Sequence, residues 1–237
     1  MRTIEQRPSE PATGKTSHHW SDWAGFWLNL ALVGFTLVRS WRLGIFLLPG
    51  VAFELMVAAA FLIRRPAKRR LLGLGPRITT YGGALIMLVF IPVAATWFPA
   101  WVAPSSTPAL RIGGALVWLF GTTLGLWPLW YLRKSFSLEP QARDLVTTGP
   151  YRFARHPIYS MYILNYIGLW LSHLSVPLSL ALCVWTALTL GRMYYEEQVL
   201  TLQFPAYREY RKRVGALGPR LWAPTTQVTA SSSGEAT

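Results

Sequence analysis

Residues 112–132 form a run of 21 residues without a single charged side chain. About 20 apolar residues are what an α-helix needs to cross the hydrocarbon core of a bilayer. There is no water at that depth, so the backbone must satisfy itself, and a helix does so. Three earlier stretches, 23–38, 45–63 and 81–98, are also apolar, the second save for Glu54. A polar stretch follows at 133–157, and then an apolar run over 158–190 that is too long for one simple span. The polar "SHLSVP" at 172–177 interrupts that run. It therefore reads as a hairpin of two helices, 157–171 and 177–197, with the second continuing past the membrane face. The predicted fold class is all-α: a polytopic integral membrane helical bundle of about six transmembrane helices with a C-terminal helical hairpin.

Composition agrees. Hydrophobic residues make up 52% of the chain and charged residues only 14%, against roughly 25% in soluble domains. The net charge of +13 could suggest nucleic acid. The charges, however, fall in short clusters between apolar spans, and a basic membrane protein needs no nucleic-acid partner. The single cysteine, Cys183, lies in an apolar run, so no intrachain disulfide and no cysteine metal cluster is possible. It reads as a packing residue. His18 and His19 read as incidental, and no metal is expected.

Position of the basic residues sets orientation. With the N-terminus in the cytoplasm, the inner side carries three basic residues in the N-tail and six between the second and third spans. It carries five more in the polar stretch and six in the C-terminal region. The outer side carries only Arg39, Arg42 and Arg111. This predicts both termini in the cytoplasm, in a cell inner membrane or an endomembrane. "RRPAKRR" at 64–70 reads as a topology determinant that touches anionic lipid headgroups. Glu54 lies mid-span, where a carboxylate is either a functional group or a neutral or paired packing residue. The expected organisation is a disordered tail at 1–20, four membrane helices at 21–132, a catalytic region at 133–222 and a disordered tail at 223–237. The N-tail shows no signal-peptide pattern.

The two ends of a helical hairpin lie side by side, so His156 and Tyr159 should approach Arg192 and Glu196. Pro157 biases His156 away from the helical region and suits the first helical position. The N–H groups of Ile158, Tyr159 and Ser160 would then be free toward the cytoplasm, a setting that attracts a carboxylate or phosphate. Arg192 and Glu196, four residues apart, share a helical face. They make either a surface ion pair worth about 0.3–0.5 kcal/mol or a ligand site.

"LVTTGPYRFARHPIYSMY" at 145–162, followed by "YYEEQVLTLQFPAYREYRKRV" at 194–214, resembles the isoprenylcysteine carboxyl methyltransferase family and its phospholipid methyltransferase relatives. The likeness covers roughly residues 133–222. It implies an integral membrane methyltransferase that uses S-adenosyl-L-methionine in a cytosol-facing pocket. Carried over by the resemblance, the cofactor contacts are Arg143, Asp144, Leu145, Val146, Tyr151, His156, Pro157, Ile158, Tyr159 and Glu196. Arg192 matches the family's arginine on the substrate side and is the candidate catalytic residue. Where the family usually has a glycine just after the RHPxY tyrosine, this chain has Ser160 and Met161. The implied partners are membrane lipids and a lipidic or hydrophobic small-molecule acceptor. Isoprenylcysteine carboxyl O-methylation is the leading expectation. Phospholipid N-methylation and S-methylation of a small hydrophobic thiol stand beside it. The non-enzymatic alternative is a membrane scaffold that keeps the fold.

Overall fold

The computed structural model describes residues 20–43, 48–91 and 97–220. The expected disordered tails, 1–20 and 223–237, lie outside the described residues, save Trp20. Among the described residues the chain forms seven α-helices: α1 (Trp20–Leu43), α2 (Leu48–Ile63), α3 (Leu74–Leu85), α4 (Pro108–Leu132), α5 (Pro157–His173), α6 (Val176–Gln203) and α7 (Pro205–Arg213). Two short strands, β1 (Arg69–Arg70) and β2 (Gln141–Ala142), pair antiparallel, with Arg69 opposite Ala142 and Arg70 opposite Gln141. The all-α expectation holds. By length and composition, α4 and α6 are long and apolar enough to cross a membrane. α2 has 16 residues, and the apolar part of α1, Gly25–Gly34, is shorter still.

α3 begins well before the expected residue 81. Gly73, at φ 143°, turns the chain, and Pro76 sits in the first turn. A π-helical turn at Ile86–Phe90 continues it. α5 ends on Leu174 in the left-handed region, at φ 44°, and Ser175 caps α6 by accepting from the Leu178 N–H at 3.3 Å. α6 runs past residue 197 to Gln203, where Pro205 cannot continue it.

Small residues let α4 and α5 approach closely. A Cβ on Gly168 would lie 2.6 Å from the Gly114 carbonyl oxygen, and one on Gly121 would lie 2.1 Å from Asn165 Oδ1. Between α5 and α6 the contact is made by longer side chains, with the Tyr166 and Trp185 ring centroids 4.1 Å apart. One face of α6 is buried through Leu178, Ala181, Trp185, Thr189, Met193 and Val199. The opposite face exposes Leu180, Cys183, Val184, Leu190 and Tyr194. This corrects the expectation for Cys183: it is exposed on an apolar stripe rather than packed. Its position in the helical repeat places it there.

The bundle has two distinct ends. At one, Ser105 N–H donates to the Ser172 carbonyl at 2.8 Å, and Ser175 Oγ donates to the Trp101 carbonyl. At the other, β1 meets β2 and the hydrophobic cluster of Val57, Ala60, Phe61, Leu129, Phe136 and Ile158 closes the core. The candidate site sits at this second end.

Candidate active site

The polar stretch between α4 and α5 is held on both sides. On one, Arg65 N–H donates to the Lys134 carbonyl at 2.8 Å and Lys68 N–H to the Ala142 carbonyl at 2.8 Å. Arg65 and Lys68 also bind the Asp144 carboxylate at 2.7 and 2.9 Å, one on each oxygen. The basic run at 64–70 is thus a structural wall of the site, beyond the topology role its charge suggested. Arg143 is buried. It donates to Ser137 Oγ at 2.8 Å, to Gln141 Oε1 at 2.9 Å and to the Arg65 carbonyl. Burial, and then the charge of Arg70, lower its guanidinium to about 10. Burial alone would raise the Asp144 carboxyl. The hydrogen bonds and charges of Lys68 and Arg65 outweigh it and hold Asp144 below the usual carboxylate range.

On the other side, the segment before α5 is tied to the chain that follows α7. Arg155 N–H donates to the Gly215 carbonyl and His156 N–H to the Ala216 carbonyl, both at 2.9 Å. Ser160 Oγ, standing near the family's usual glycine, donates to the Leu217 carbonyl at 2.5 Å. Tyr210 donates its hydroxyl hydrogen to the Tyr151 carbonyl. Gly149 adopts φ 61°, and a Cβ there would lie 2.5 Å from the Tyr131 ring, so this turn requires glycine.

α5 and α6 bring the expected residues together. Tyr159 donates to Glu196 Oε1 at 2.6 Å, and Arg192 Nε donates to the same oxygen at 3.0 Å. Arg192 Nη2 reaches back to the Ser137 carbonyl at 3.0 Å, and its guanidinium carbon lies 5.5 Å from the Tyr159 ring centre. The Arg192 and Glu196 side chains keep 17% and 20% of their exposure, so this is not the surface pair that spacing alone allowed. Glu196 Oε2 lies 3.7 Å from His156 Nδ1 and accepts no hydrogen bond among the described residues.

Glu197, which the sequence reading passed over, anchors the other side. It holds Arg155 at 2.7 Å, His156 Nε2 at 3.2 Å and Arg211 at 3.2 Å. The signal was the Glu-Glu pair itself, because two consecutive helical carboxylates cannot serve one pocket. A second difference concerns the start of α5. The N–H groups of Tyr159 and Ser160 are not free: both donate to the His156 carbonyl, at 3.0 and 3.2 Å. The expected anion-binding N-terminus is therefore reduced to Ile158. His156, at ψ 58°, turns its carbonyl into the first helical turn.

One cavity of about 430 Å³ connects these groups. Its lining includes Arg143, Asp144, Leu145, Val146, Tyr151, His156, Ile158, Tyr159, Arg192 and Glu196. Of the predicted site residues, Pro157 alone is absent from that lining; it is buried and shapes the entry to α5. The cavity also takes in Ser137, Tyr162 and Tyr207, and it continues between the helices to Asn29, Glu54, Thr80, Gly83 and Trp185. These last residues stand on α1, α2, α3 and α6. Tyr207 is 1% exposed, and its hydroxyl has no partner among the described residues. Burial pushes that hydroxyl well above its ordinary value.

Residues 109–206 match the model of the phospholipid methyltransferase family. That family includes the isoprenylcysteine carboxyl methyltransferase-like proteins, so the resemblance read from the two motifs stands. The matched stretch holds α4, α5 and α6 with the polar segment between them, and α1–α3 lie outside it. Among curated proteins, the chain is 30% identical over 143 residues to the nickel-cobalt-cadmium resistance protein NccN of Alcaligenes xylosoxydans xylosoxydans. It is 33% identical over 133 residues to the cobalt-zinc-cadmium resistance protein CzcN of Cupriavidus metallidurans. These alignments take in 58% and 53% of this chain, and 61% and 54% of the relatives' own lengths.

Proposed function

We propose that this protein is an integral membrane methyltransferase that uses S-adenosyl-L-methionine and acts on a lipidic or membrane-partitioned acceptor. The observation that carries the reading is a continuous cavity with two unlike ends. Its polar end gathers Glu196, His156, Arg143 and Tyr207, and its other end opens among apolar helices. Its volume of about 430 Å³ falls in the range of small-molecule sites, roughly 300–1,000 Å³. The residues suit the cofactor: Glu196 Oε2 and the Tyr207 hydroxyl offer hydrogen bonds that the protein itself leaves unmade.

When bound, the sulfonium supplies a methyl group to a nucleophile held in line, and its positive charge is lost in the transfer. The chain's part is positioning. Tyr159 and Arg192 fix the Glu196 carboxylate through Oε1 and so aim Oε2. His156, fixed by Glu197, closes the polar wall. Leu145, Val146 and Ile158 supply apolar surface that keeps water away.

Isoprenylcysteine-like carboxyl O-methylation is the acceptor chemistry that the motif resemblance favours, with Arg192 as the cation for the carboxylate. An amine acceptor is the second reading, and the unpartnered Glu54 oxygen in the same cavity favours it. The relatives' names speak of metal resistance. Among the described residues no group of three or more His, Cys, Asp or Glu side chains could hold a metal ion. The test is methyl transfer from labelled cofactor by purified protein in detergent, across prenylcysteine, aminophospholipid and hydrophobic thiol acceptors. Labelled product with at least one class is expected. No product with any, together with no binding of S-adenosylhomocysteine, overturns the reading in favour of a scaffold.

A further inference from the structure

Two polar side chains outside the matched stretch line the apolar half of the cavity, and each holds one buried oxygen without a hydrogen-bond partner. Glu54, on α2, accepts from Thr36 Oγ1 at 2.9 Å through Oε1, while Oε2 is buried without a partner. Thr80, on α3, is 1% exposed, and its hydroxyl has no partner either. A helical threonine ordinarily donates back to a carbonyl one turn earlier. Thr79, Thr122, Thr123, Thr186 and Thr201 all do so here, at 2.6–3.1 Å. Thr80 does not: its hydroxyl has no partner, and the Pro76 carbonyl one turn earlier accepts from Thr79 Oγ1 at 3.0 Å. A buried polar atom without a partner costs roughly 1–3 kcal/mol. Two of them lining one cavity mark a place where a ligand completes the bonding.

The geometry points to Glu54 and Thr80 as the acceptor-recognition site, taking a group that donates an N–H or O–H hydrogen bond on an otherwise apolar molecule. The assignment rests on the methyltransferase reading and narrows its acceptor. Glu54 Oε2 offers lone pairs to a donor, and Thr80 Oγ1 can both donate and accept. A bare carboxylate head has no hydrogen to give the Glu54 oxygen, so this site favours the amine acceptor, the second reading above, over the carboxylate. The apolar surroundings, Leu28, Leu32, Phe53, Ala84 and Met87, suit a hydrocarbon tail. Glu54 and Thr80 stand on α2 and α3, outside the matched stretch, whereas Arg143, His156, Arg192 and Glu196 stand inside it.

The test uses full-length protein in detergent and three probes of equal chain length: dodecylamine, 1-dodecanol and dodecanoate. Wild type should bind the amine and the alcohol about 10-fold or more tighter than the carboxylate, the scale of one hydrogen bond to a charged group. Glu54→Leu should erase that preference, and Glu54→Gln should reduce it while keeping the side chain's shape. Thr80→Val should weaken the amine and the alcohol alike. S-adenosylhomocysteine affinity should stay within about threefold of wild type in all three variants, a spread below 1 kcal/mol. Equal binding of the three probes to wild type overturns the assignment, as does a preference that survives in Glu54→Leu. Loss of S-adenosylhomocysteine binding in wild type, with the head-group preference intact, removes the methyltransferase reading instead.

Discussion

Consecutive side chains on an α-helix point about 100° apart, so Glu196 and Glu197 face different surroundings. Glu196 lines the cavity, whereas Glu197 turns away from it toward Arg155, His156 and Arg211. The two carboxylates should therefore fail differently. We predict that Glu196→Gln weakens S-adenosylhomocysteine binding by roughly 10- to 150-fold, because a carboxylate accepts stronger hydrogen bonds than an amide does, and lowers thermal stability less than Glu197→Gln, because the amide oxygen still accepts from Tyr159 and Arg192. Glu197→Gln should do the reverse. It strips charge from a half-enclosed cluster and should lower stability by about 1.5–3 kcal/mol, with ligand affinity within a few fold at temperatures where the protein is folded. Isothermal titration and thermal unfolding of both variants separate the outcomes. Equal losses of affinity in the two variants would contradict the division of labour. The bond pattern also explains what the sequence left open at Arg192. Spacing of four residues allows an exposed pair, and only the fold reveals Ser137 and Tyr159 closing around it.

At the scale of elements, helix existence was legible because long uncharged runs and proline or glycine punctuation are local properties. α4, α5 and α6 fall close to their expected spans for that reason. Elsewhere the reading missed what depends on distant partners. The start of α3 is set by Gly73 and Pro76, which lie in the stretch read as the connection between the second and third spans. The wall built by 64–70 rests on pairing β1 with β2 and on Arg65 and Lys68 meeting Asp144, contacts across more than seventy residues. Pattern reading has no access to such pairs. The Asp144 clamp carries a pH prediction. Its folded pKa is depressed, so it contributes stability above the ordinary carboxylate pKa of about 3.9, and that contribution is lost as pH falls through the lower, folded value. Melting temperature should thus fall more steeply between about pH 5 and pH 3 in wild type than in Asp144→Asn. Parallel curves for the two proteins would show that the clamp adds nothing to stability, as exposed ion pairs often do.

For the whole molecule, the two ends of the bundle and the distribution of basic residues point the same way. Segments 64–71, 133–157 and 205–220 are bonded to one another at a single end: Lys68 to Ala142, Leu71 to Pro140, and Arg155 to Gly215 and Arg211. These segments carry most of the basic residues. The opposite end joins 101–111 to 172–175 and holds Arg111. Between the ends, α4 and α6 are long enough to span, and large apolar side chains such as Ile112, Leu116, Phe120, Leu180 and Val184 face outward. Basic residues stay on the cytoplasmic side because moving them through the bilayer is unfavourable. We therefore predict six spans with both termini in the cytoplasm and the polar end of the cavity on that side. Paired activity-reporter fusions after Pro104 and after Thr225 should report opposite compartments, the first outside and the second inside. Cysteines introduced at Arg69 and at Thr107, in a Cys183→Ser background, give an independent reading with an impermeant thiol reagent on intact cells. Position 107 should label and position 69 should label only after permeabilisation. Labelling of both without permeabilisation would overturn the predicted orientation, and reporters on a common side would exclude an odd number of spans between the two fusion points.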